Sequence, residues 1–410
     1  MEIIMAWRNV WRNPRRTILT VMAIAFACLI LVFMLSFQVG VYEVMINAAV
    51  KTQTGHIQVT AVNYHKDQKI RKVVEHPEKI KTLVESVPHV TAHTFRASSF
   101  ALLSSETRTV GGMVTGIDPE KEPKVSSAAA VIRKGRFLNA EDKEAAVIGT
   151  LLAKNLKINI GDELVILGSG RDGSIAAGIL EVVGIFSSGM DDYDRSGIQI
   201  PLTYFQETFA MGDAVHQVVA ICDSLWAVTE TQQHISKALK EIEGERELVC
   251  RSWNQIMPGL VQSIQMDLGG GIIFYGILIV VVAFSILNTF LMAVFERTRE
   301  FGTLLAMGAR PGRLSKMLLY ESGFLTLCGL VLGICAGAAL TLWAQHSGIS
   351  MGEAEGMLRQ YGIPGIIRPK LSLLTAIAGP VVVFIITMLT AVYPAVKVHR
   401  LNPVDAMHAA

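Results

Sequence analysis

The chain has 410 residues, of which 51% are hydrophobic and only 18% are charged, and its formal net charge is +2. This balance differs from that of an ordinary soluble domain and favours a membrane location. A net charge this small, without a run of like charges in the middle of the chain, argues against nucleic acid as a partner.

Residues 1–17 predict an amphipathic helix in the cytoplasmic headgroup layer, because tryptophans lie among arginines there. Trp7 and Trp11 are four residues apart, and around them lie Arg8, Arg12, Arg15 and Arg16. Charges that merely flank a membrane span would explain the arginines but not the two tryptophans.

Four nearly uncharged apolar runs predict transmembrane helices, since a helix needs roughly 20 residues to cross the hydrocarbon core. The predicted spans are residues 18–41, 272–295, 318–345 and 371–396. The first run is longer than the apolar core of a signal peptide, which has roughly 7 to 15 residues, so we expect it to be retained.

Residues 42–271, between the first two spans, mix charged, polar and apolar types and are numerous enough to form their own core. We expect helical stalks at both ends of this segment. Strand-like and helix-like stretches alternate between the stalks. This pattern predicts an α+β domain that could form two lobes, the second around residues 214–251.

The basic residues that flank the spans predict the orientation, because Lys and Arg near helix ends prefer the cytoplasmic side. Besides the N-terminal arginines, they are Arg297, Arg299, Arg310, Arg313, Lys316, Lys397 and Arg400. The loop at residues 346–370 has only Arg359, Arg368 and Lys370. We therefore expect both termini and the tail (397–410) in the cytoplasm, and the domain at 42–271 outside the inner membrane.

The cytoplasmic loop at residues 296–317 begins with charges and continues with apolar residues. This predicts a short helix that ends near Gly308 and buries Phe301, Leu304 and Leu305 against another protein. The rim of that contact and the helix ends are assigned to Glu296, Arg297, Glu300 and Arg310.

Several stretches of the sequence resemble the FtsX-like, MacB-type family of ABC transporter permeases, and within it the lipoprotein-releasing LolC/LolE group. They are AWRNVWRNPRRTILTVMAIA, TGHIQV, EAAVIGTLLAKNLKINIGDELVIL, ERTREFGTLLAMGARPGRL and PAVKVHRLNPVDAM. The resemblance implies a MacB-like periplasmic core domain between the first two helices. It also implies that the permease dimerises with a second copy or a related permease, and that a dimer of ATPase subunits binds the cytoplasmic loop at residues 296–317. It further implies mechanotransmission and release of lipoproteins to a periplasmic carrier.

Three other functions stay open at this point. A MacB-type exporter of drugs or peptides would need an adaptor protein, and an FtsX-like signal relay would not transport at all. A membrane enzyme has the weakest support, because the sequence has no His-Glu-x-x-His and no Gly-x-Ser-x-Gly motif.

No cofactor is expected on this chain. It lacks the G-x-x-x-x-G-K-[ST] motif, so ATP and magnesium are expected on a separate ATPase subunit. Residues 168–173 match G-x-G-x-x-G, but a strand-like run follows them, which favours a hairpin loop. No metal site is expected: His89 and His93 lie in a strand pattern, and the acidic residues at 191, 192 and 194 are typical of a solvated turn.

Two further sets of residues predict packing. Gly329, Gly333 and Gly337 line one face of the third span, which favours close helix contact, and Asn288 in the second span should find a polar partner in a bundle or at a subunit interface. Cys222 and Cys250 could form a disulfide outside the membrane.

If the cargo is a lipoprotein, its acyl chains must enter sideways from the outer leaflet. The contact is then expected where the first two spans meet the stalks. The apolar candidates at that level, each of which could equally face lipid or a neighbouring helix, are Phe37, Val41, Met45, Ile264, Ile273 and Phe274.

Overall fold

The computed structural model of the protein describes residues 2–242, 247–350, 352 and 365–399. The chain divides into a transmembrane unit, made of Met1–Glu43, Ser263–Met351 and Ile366–Ala410, and an inserted domain, made of Val44–Gln262 with Gly352–Gly365. Arg359 and the tail from Arg400 onward, which entered the orientation argument, lie outside the described residues.

The described helices are short except for those that span the transmembrane unit. In chain order they are α1 (Glu2–Val10), α2 (Pro14–Ala49), α3 (Tyr64–Asp67), α4 (Pro77–Ser86), α5 (Glu122–Val125), α6 (Thr150–Leu156), α7 (Asp191–Ser196), α8 (Leu202–Thr208), α9 (Val228–Glu241), α10 (Trp253–Ile256), α11 (Pro258–Glu296), α12 (Thr298–Ala306), α13 (Pro311–Ser347) and α14 (Leu373–His399).

The described strands belong mainly to the inserted domain. In chain order they are β1 (Ile57–Ala61), β2 (Val90–Ser104), β3 (Thr109–Ile117), β4 (Ile132–Gly135), β5 (Ala145–Gly149), β6 (Glu163–Ser169), β7 (Ile175–Phe186), β8 (Gly197–Pro201), β9 (Gln217–Cys222), β10 (Leu248–Ser252), β11 (Ile349–Ser350) and β12 (Ile366–Ile367).

Among the described residues, α2, α11, α13 and α14 are the four helices long and apolar enough to cross a membrane. The four-helix prediction is therefore confirmed. Helices α2 and α11 extend beyond the predicted spans, to Ala49 and back to Pro258, in the direction predicted for the stalks. The backbone must satisfy its own hydrogen bonds in hydrocarbon, which continuous helices of this kind achieve.

Helices α2 and α13 approach each other closely along the glycine face of α13. A Cβ atom added to Gly329 would lie 2.7 Å from Ile24 Cβ, and one added to Gly333 would lie 2.6 Å from Cys28 Cβ. At Gly337 the corresponding distance to Val32 Cβ is 3.0 Å. The three glycines thus allow an approach that any side chain would prevent.

The inserted domain is built on one ten-stranded mixed sheet with the strand order β10-β1-β9-β2-β3-β8-β5-β7-β4, and β6 pairs with β2 and β7. The pairs β3–β8 and β5–β7 are parallel, and the remaining pairs are antiparallel. Short helices pack on the sheet, so the expected α+β domain is confirmed. Residues 168–173 lie at the turn of the β6–β7 hairpin, as predicted: 168 and 169 end β6, and 170–174 form the loop.

The second lobe predicted at residues 214–251 is not a separate stretch of the chain. Strand β1 lies between β9 and β10, so that end of the domain needs residues from the start of the segment as well. Its core combines Ile57 and Val59 of β1 with Ile80 of α4 and Ile235 of α9.

The suggested disulfide is wrong for this fold. Cys222 ends β9 and Cys250 lies in β10, and both are buried free thiols. Because β1 separates their strands, the two Cα atoms are at least two strand spacings apart, or roughly 9–10 Å. A disulfide requires Cα atoms within about 7 Å.

The acidic residues at 191–194 form the helix α7 rather than a solvated turn. Asp194 is buried, and its carboxylate accepts hydrogen bonds from the backbone N–H of Ser188 at 2.8 Å and from the Ser188 hydroxyl at 2.6 Å. The Ser187 hydroxyl donates a third bond at 3.1 Å. This carboxylate therefore has a structural role.

The glycine face of α13 gives a first prediction. Gly333→Ala should lower the thermal unfolding midpoint of the purified protein, because the added methyl overpacks the α2 contact at a cost of about 1–3 kcal/mol. Gly323→Ala is the matched control, since nothing lies within 4 Å of its added Cβ. The control should leave the midpoint unchanged or raise it, because alanine is the better helix former. Equal midpoints for the two variants would contradict the packing role.

Candidate functional site

The coupling segment, residues 296–310, is a short helix that ends at a defined point. Helix α12 covers Thr298–Ala306, and Gly308 has φ +91°, a left-handed conformation that glycine adopts without steric cost. The next helix begins at Pro311, and proline is common at the first position of a helix. The helix and its end near Gly308 therefore lie where the sequence placed them.

Phe301 does not face a partner, contrary to the prediction. It is completely buried in a cluster with Val294 of α11, Leu314 and Leu318 of α13 and Val398 of α14. The Arg297 guanidinium also lies 5.2 Å from the centre of its ring. The side chain thus holds α12 against the ends of the spans, and Leu305 packs on the same cluster.

The large apolar side chains left exposed by α12 and by the residue that follows it are Leu304 and Met307. Leu304 exposes 36% of its surface and Met307 exposes 72%. They are three residues apart, so both lie on one side of the helix. This pair, rather than Phe301, is the part of the coupling segment that another protein could cover.

Two ion pairs connect the coupling segment to the region before the first span. Arg12 donates to Glu300 from both terminal guanidinium nitrogens, one of them at 2.9 Å, and Arg16 donates to Glu296 at 2.8 and 3.2 Å. The hydrogen bond from Arg12 also lowers the pKa of Glu300. The two glutamates were predicted to line the rim of a partner contact, but the structure pairs them within the chain.

Arg297 is likewise an internal residue. Its guanidinium binds both carboxylate oxygens of Glu321 on α13 at 3.2 Å and also reaches Glu300 at 3.4 Å. Of the four charged residues assigned to the rim, only Arg310 is exposed and without an ion pair in the described part of the chain. The coupling segment is therefore fixed to α2 and α13 by charge as well as by Phe301.

A polar cluster joins the C-terminal part of α2 to the N-terminal part of α11, and the sequence analysis did not predict it. The Tyr42 hydroxyl donates to Asp267 at 2.6 Å, and the Gln38 amide donates to the same carboxylate at 3.1 Å. The Tyr275 hydroxyl in turn donates to Gln38 at 3.0 Å. The signal in the sequence was Asp267, a carboxylate next to an apolar run.

The six predicted cargo contacts differ in exposure. Ile273 and Phe274 on α11 are exposed, with 67% and 54% of their surfaces free. The other four side chains are half-buried. Phe37, Val41 and Ile264 are among them, and so is Met45, which lies in the part of α2 that belongs to the inserted domain. Phe37 also stacks on Phe33, with ring centres 6.2 Å apart. Ile273 and Phe274 are therefore the best placed to meet a lipid-like ligand.

Asn288 lies on the exposed side of α11, not inside the bundle. Together with Ser285 and Thr289 it lines a groove of about 390 Å³ whose other side is α2, including Thr20. Within the described residues, its amide makes no hydrogen bond. An amide at membrane depth gains from a partner, so the subunit interface is the better of the two predicted explanations.

The inserted domain carries an exposed apolar patch that was not predicted. Strand register places Leu102 opposite Leu167 and Val165 opposite Ile179 on one sheet face. All members of this sheet patch are exposed, Ile175 over 79% of its surface. They are Phe100, Leu102, Val165, Leu167, Ile175 and Ile179. Exposed apolar patches of this kind occur more often at interaction sites than elsewhere on protein surfaces.

His89 and His93, which were not expected to bind a metal, each lie close to a carboxylate. His89 Nδ1 lies 2.9 Å from Asp223, and His93 Nδ1 lies 3.4 Å from Glu85. In the described ranges, no group of three or more His, Cys, Asp or Glu side chains could hold a metal ion.

Comparison with known proteins places this architecture among transporters. The MacB-like periplasmic core domain model matches residues 17–243, and the FtsX-like permease C-terminal model matches residues 272–403. The extracellular domain of the noncanonic ABC-type transporter YknZ from Gram-positive bacteria is 15% identical, with 48% of this chain and 99% of that domain covered at a TM-score of 0.36.

Two relatives differ in the share of their own length that aligns with this chain. The lipoprotein-releasing system transmembrane protein LolC of Neisseria meningitidis serogroup B is 21% identical over 95% of this chain and 93% of its own length. The macrolide export ATP-binding/permease protein MacB of Rhodospirillum rubrum is 28% identical over 67% of this chain and 40% of its own length.

The core-domain model alone accounts for more than half of the sequence, and the permease model covers the last three spans and the coupling segment. These matches agree with the inserted domain and the four spanning helices. The chain therefore belongs to the family of ABC transporter permeases with a MacB-like periplasmic core domain and an FtsX-like C-terminal region.

Proposed function

We propose that this permease releases lipoproteins from the outer leaflet of the inner membrane, using ATP hydrolysed on a separate ATPase subunit. The observation that carries the proposal is the end-to-end match with LolC, whose name states lipoprotein release. The match covers both units of the fold and extends over nearly the whole of that relative.

The ATPase contact is assigned to Leu304 and Met307. Both are apolar and exposed, and α12 lies outside the four spanning helices, so lipid tails do not cover them. Burying an apolar side chain of this size is worth roughly 1.5–3 kcal/mol, whereas an exposed ion pair contributes up to about 1 kcal/mol. Arg310 then contributes at the edge of the contact.

The path from the ATPase to the cargo starts at the ion pairs of the coupling segment. A displacement of α12 moves Glu300, which binds Arg12 just before α2. It also moves the adjoining end of α11, where Glu296 binds Arg16 in the first turn of α2. Helix α2 then carries the motion along its length to the polar cluster around Asp267. This is mechanotransmission without a substrate path through the bundle.

A second permease copy, or a related chain, is proposed to cover the groove that contains Asn288. A two-fold contact brings Asn288, Ser285 and Thr289 of one copy against the same surface of the other, where the amides can pair. The sheet patch of the inserted domain is proposed to bind a periplasmic carrier or adaptor, which fits its exposed apolar residues.

Export of a drug or peptide is the second candidate. The MacB relative has the higher identity of the two, 28%, over two thirds of this chain. Both candidates use the same coupling segment, so only the cargo and the periplasmic partner separate them.

The orientation can be tested by thiol labelling of intact cells. Cysteine in place of Asp172, in the β6–β7 loop, should react with a membrane-impermeant reagent, and cysteine in place of Arg313 should react only after lysis. Both positions are exposed, and the background should have Cys328 and Cys335 replaced by alanine. The reverse pattern, or labelling of both, would refute cytoplasmic termini.

Leu304→Asp should abolish co-purification of the ATPase while the variant inserts and unfolds like the wild type. Thr303→Asp is the matched control, because it adds the same charge at an adjacent exposed position and should retain the ATPase. Phe301→Ala should instead lower the unfolding midpoint, since truncating a buried phenylalanine costs about 3–5 kcal/mol. A Leu304→Asp complex with normal stimulated ATP hydrolysis would show that the contact lies elsewhere.

Photo-crosslinking amino acids at Ile273 and Phe274 should capture a lipid-modified polypeptide, and ATP should reduce the capture by driving release. Met292, exposed at the other end of α11, is the control and should capture phospholipid only. If Ile273 and Phe274 also capture phospholipid alone, or if a soluble drug-like ligand crosslinks to the inserted domain instead, export replaces lipoprotein release.

A further inference from the structure

The transmembrane unit has an open apolar groove between α1, α2 and α13. Its volume is about 470 Å³, and nearly all of its lining is aliphatic or aromatic. The residues that line its two sides are each exposed over about half of their surfaces. They are Trp11, Ile18 and Met22 on one side and Leu327, Val331 and Leu332 on the other.

We define the mouth of the groove by the two arginines that precede its lining residues in the chain, Arg15 and Arg8. Arg15 precedes Ile18 by three residues and Met22 by seven on the same helix, so it lies on the same face of α2, one turn before the groove. Arg8 lies on α1, three residues before Trp11. A cationic side chain on α2 and another on α1 thus precede the apolar lining of the groove, which includes the indole of Trp11.

These two arginines differ from their neighbours. Arg12 and Arg16 bind glutamates of the coupling region, whereas Arg8 and Arg15 are exposed and form no ion pair with any described residue. Basic residues at this level of a membrane protein attract anionic headgroups. Nothing in the described part of the chain neutralises the mouth of the groove.

Helix α1 packs on the spans beside the groove, and its Val10 lines it. Ala6 and Val10 of α1 are buried, and Trp7 packs edge-on against Phe324 of α13 with ring centres 5.3 Å apart. Ile3, Ile4 and Met5 on the same short helix remain exposed. A molecule that fills the groove therefore contacts both α1 and the bundle.

We propose that the groove is a binding site for one anionic phospholipid, with an acyl chain between α2 and α13 and the phosphate at Arg15, assisted by Arg8. An inorganic anion would leave the apolar walls empty, and a zwitterionic lipid would add no net charge opposite the arginines. The bound lipid holds α1 against the bundle, beside the ion pairs that connect α2 to the coupling segment. The site does not depend on the identity of the cargo.

The test uses the purified full-length protein, with retained lipid measured by native mass spectrometry and stability by thermal unfolding. Phosphatidylglycerol should raise the unfolding midpoint more than phosphatidylcholine with the same acyl chains. Arg15→Gln should retain about fivefold less phosphatidylglycerol, the ratio expected for one basic residue near an anionic headgroup, and should lose the difference between the two lipids.

Two further variants keep the test decisive. Arg299→Gln removes an exposed arginine of α12 and should behave like the wild type. Leu332→Trp fills the groove from an exposed position and should displace the lipid without unfolding the protein. Equal shifts with both lipids, or an unchanged preference in Arg15→Gln, would overturn the site. So would a photo-crosslinker at Leu332 that captures a second copy of the chain or a lipid-modified polypeptide rather than phospholipid.

Discussion

The attachment of α12 to the ends of the spans is the interaction on which the proposed action of this permease depends. Phe301 supplies the apolar part of that attachment, and the pair of Arg12 with Glu300 connects α12 to the residues just before α2. The pair of Arg16 with Glu296 connects α2 to the end of α11, directly before α12. Exposed ion pairs of this kind contribute little to stability individually. Under the proposed function, their importance lies in connecting the coupling segment to the start of α2.

The close contact of α2 with α13 extends this connection. Gly329, Gly333 and Gly337 leave no room for a side chain between the two helices, so α2 and α13 are in close contact along this face. Arg297 and Glu321 add a charged link between the coupling segment and α13 near the start of that contact. A short helix is therefore connected to two long ones by apolar packing, charge and close backbone approach.

The sequence predicted those features that depend on local composition and spacing. Spans appear as runs of apolar residues, the glycine face of α13 as a spacing of four, and the end of α12 as Gly308 before Pro311.

Predictions of features that depend on distant residues were wrong, or the features were missed. Phe301 looked like a free anchor because its partners, such as Leu318 and Val398, come from other helices. Cys222 and Cys250 looked like a pair because nothing local shows that β1 lies between their strands. The Tyr42–Asp267 bond joins residues 225 positions apart, a distance over which spacing carries no information.

The buried free thiols of the inserted domain have a consequence for how the protein is made. With Cys222 and Cys250 on strands that β1 keeps apart, the sheet reaches its final arrangement through strand pairing alone, and no covalent crosslink has to form first. Folding of the domain thus requires no disulfide between these two cysteines. An incorrect Cys222–Cys250 bond, formed before β1 enters the sheet, would instead exclude β1 from its place between β9 and β10 and trap the chain in a misfolded state.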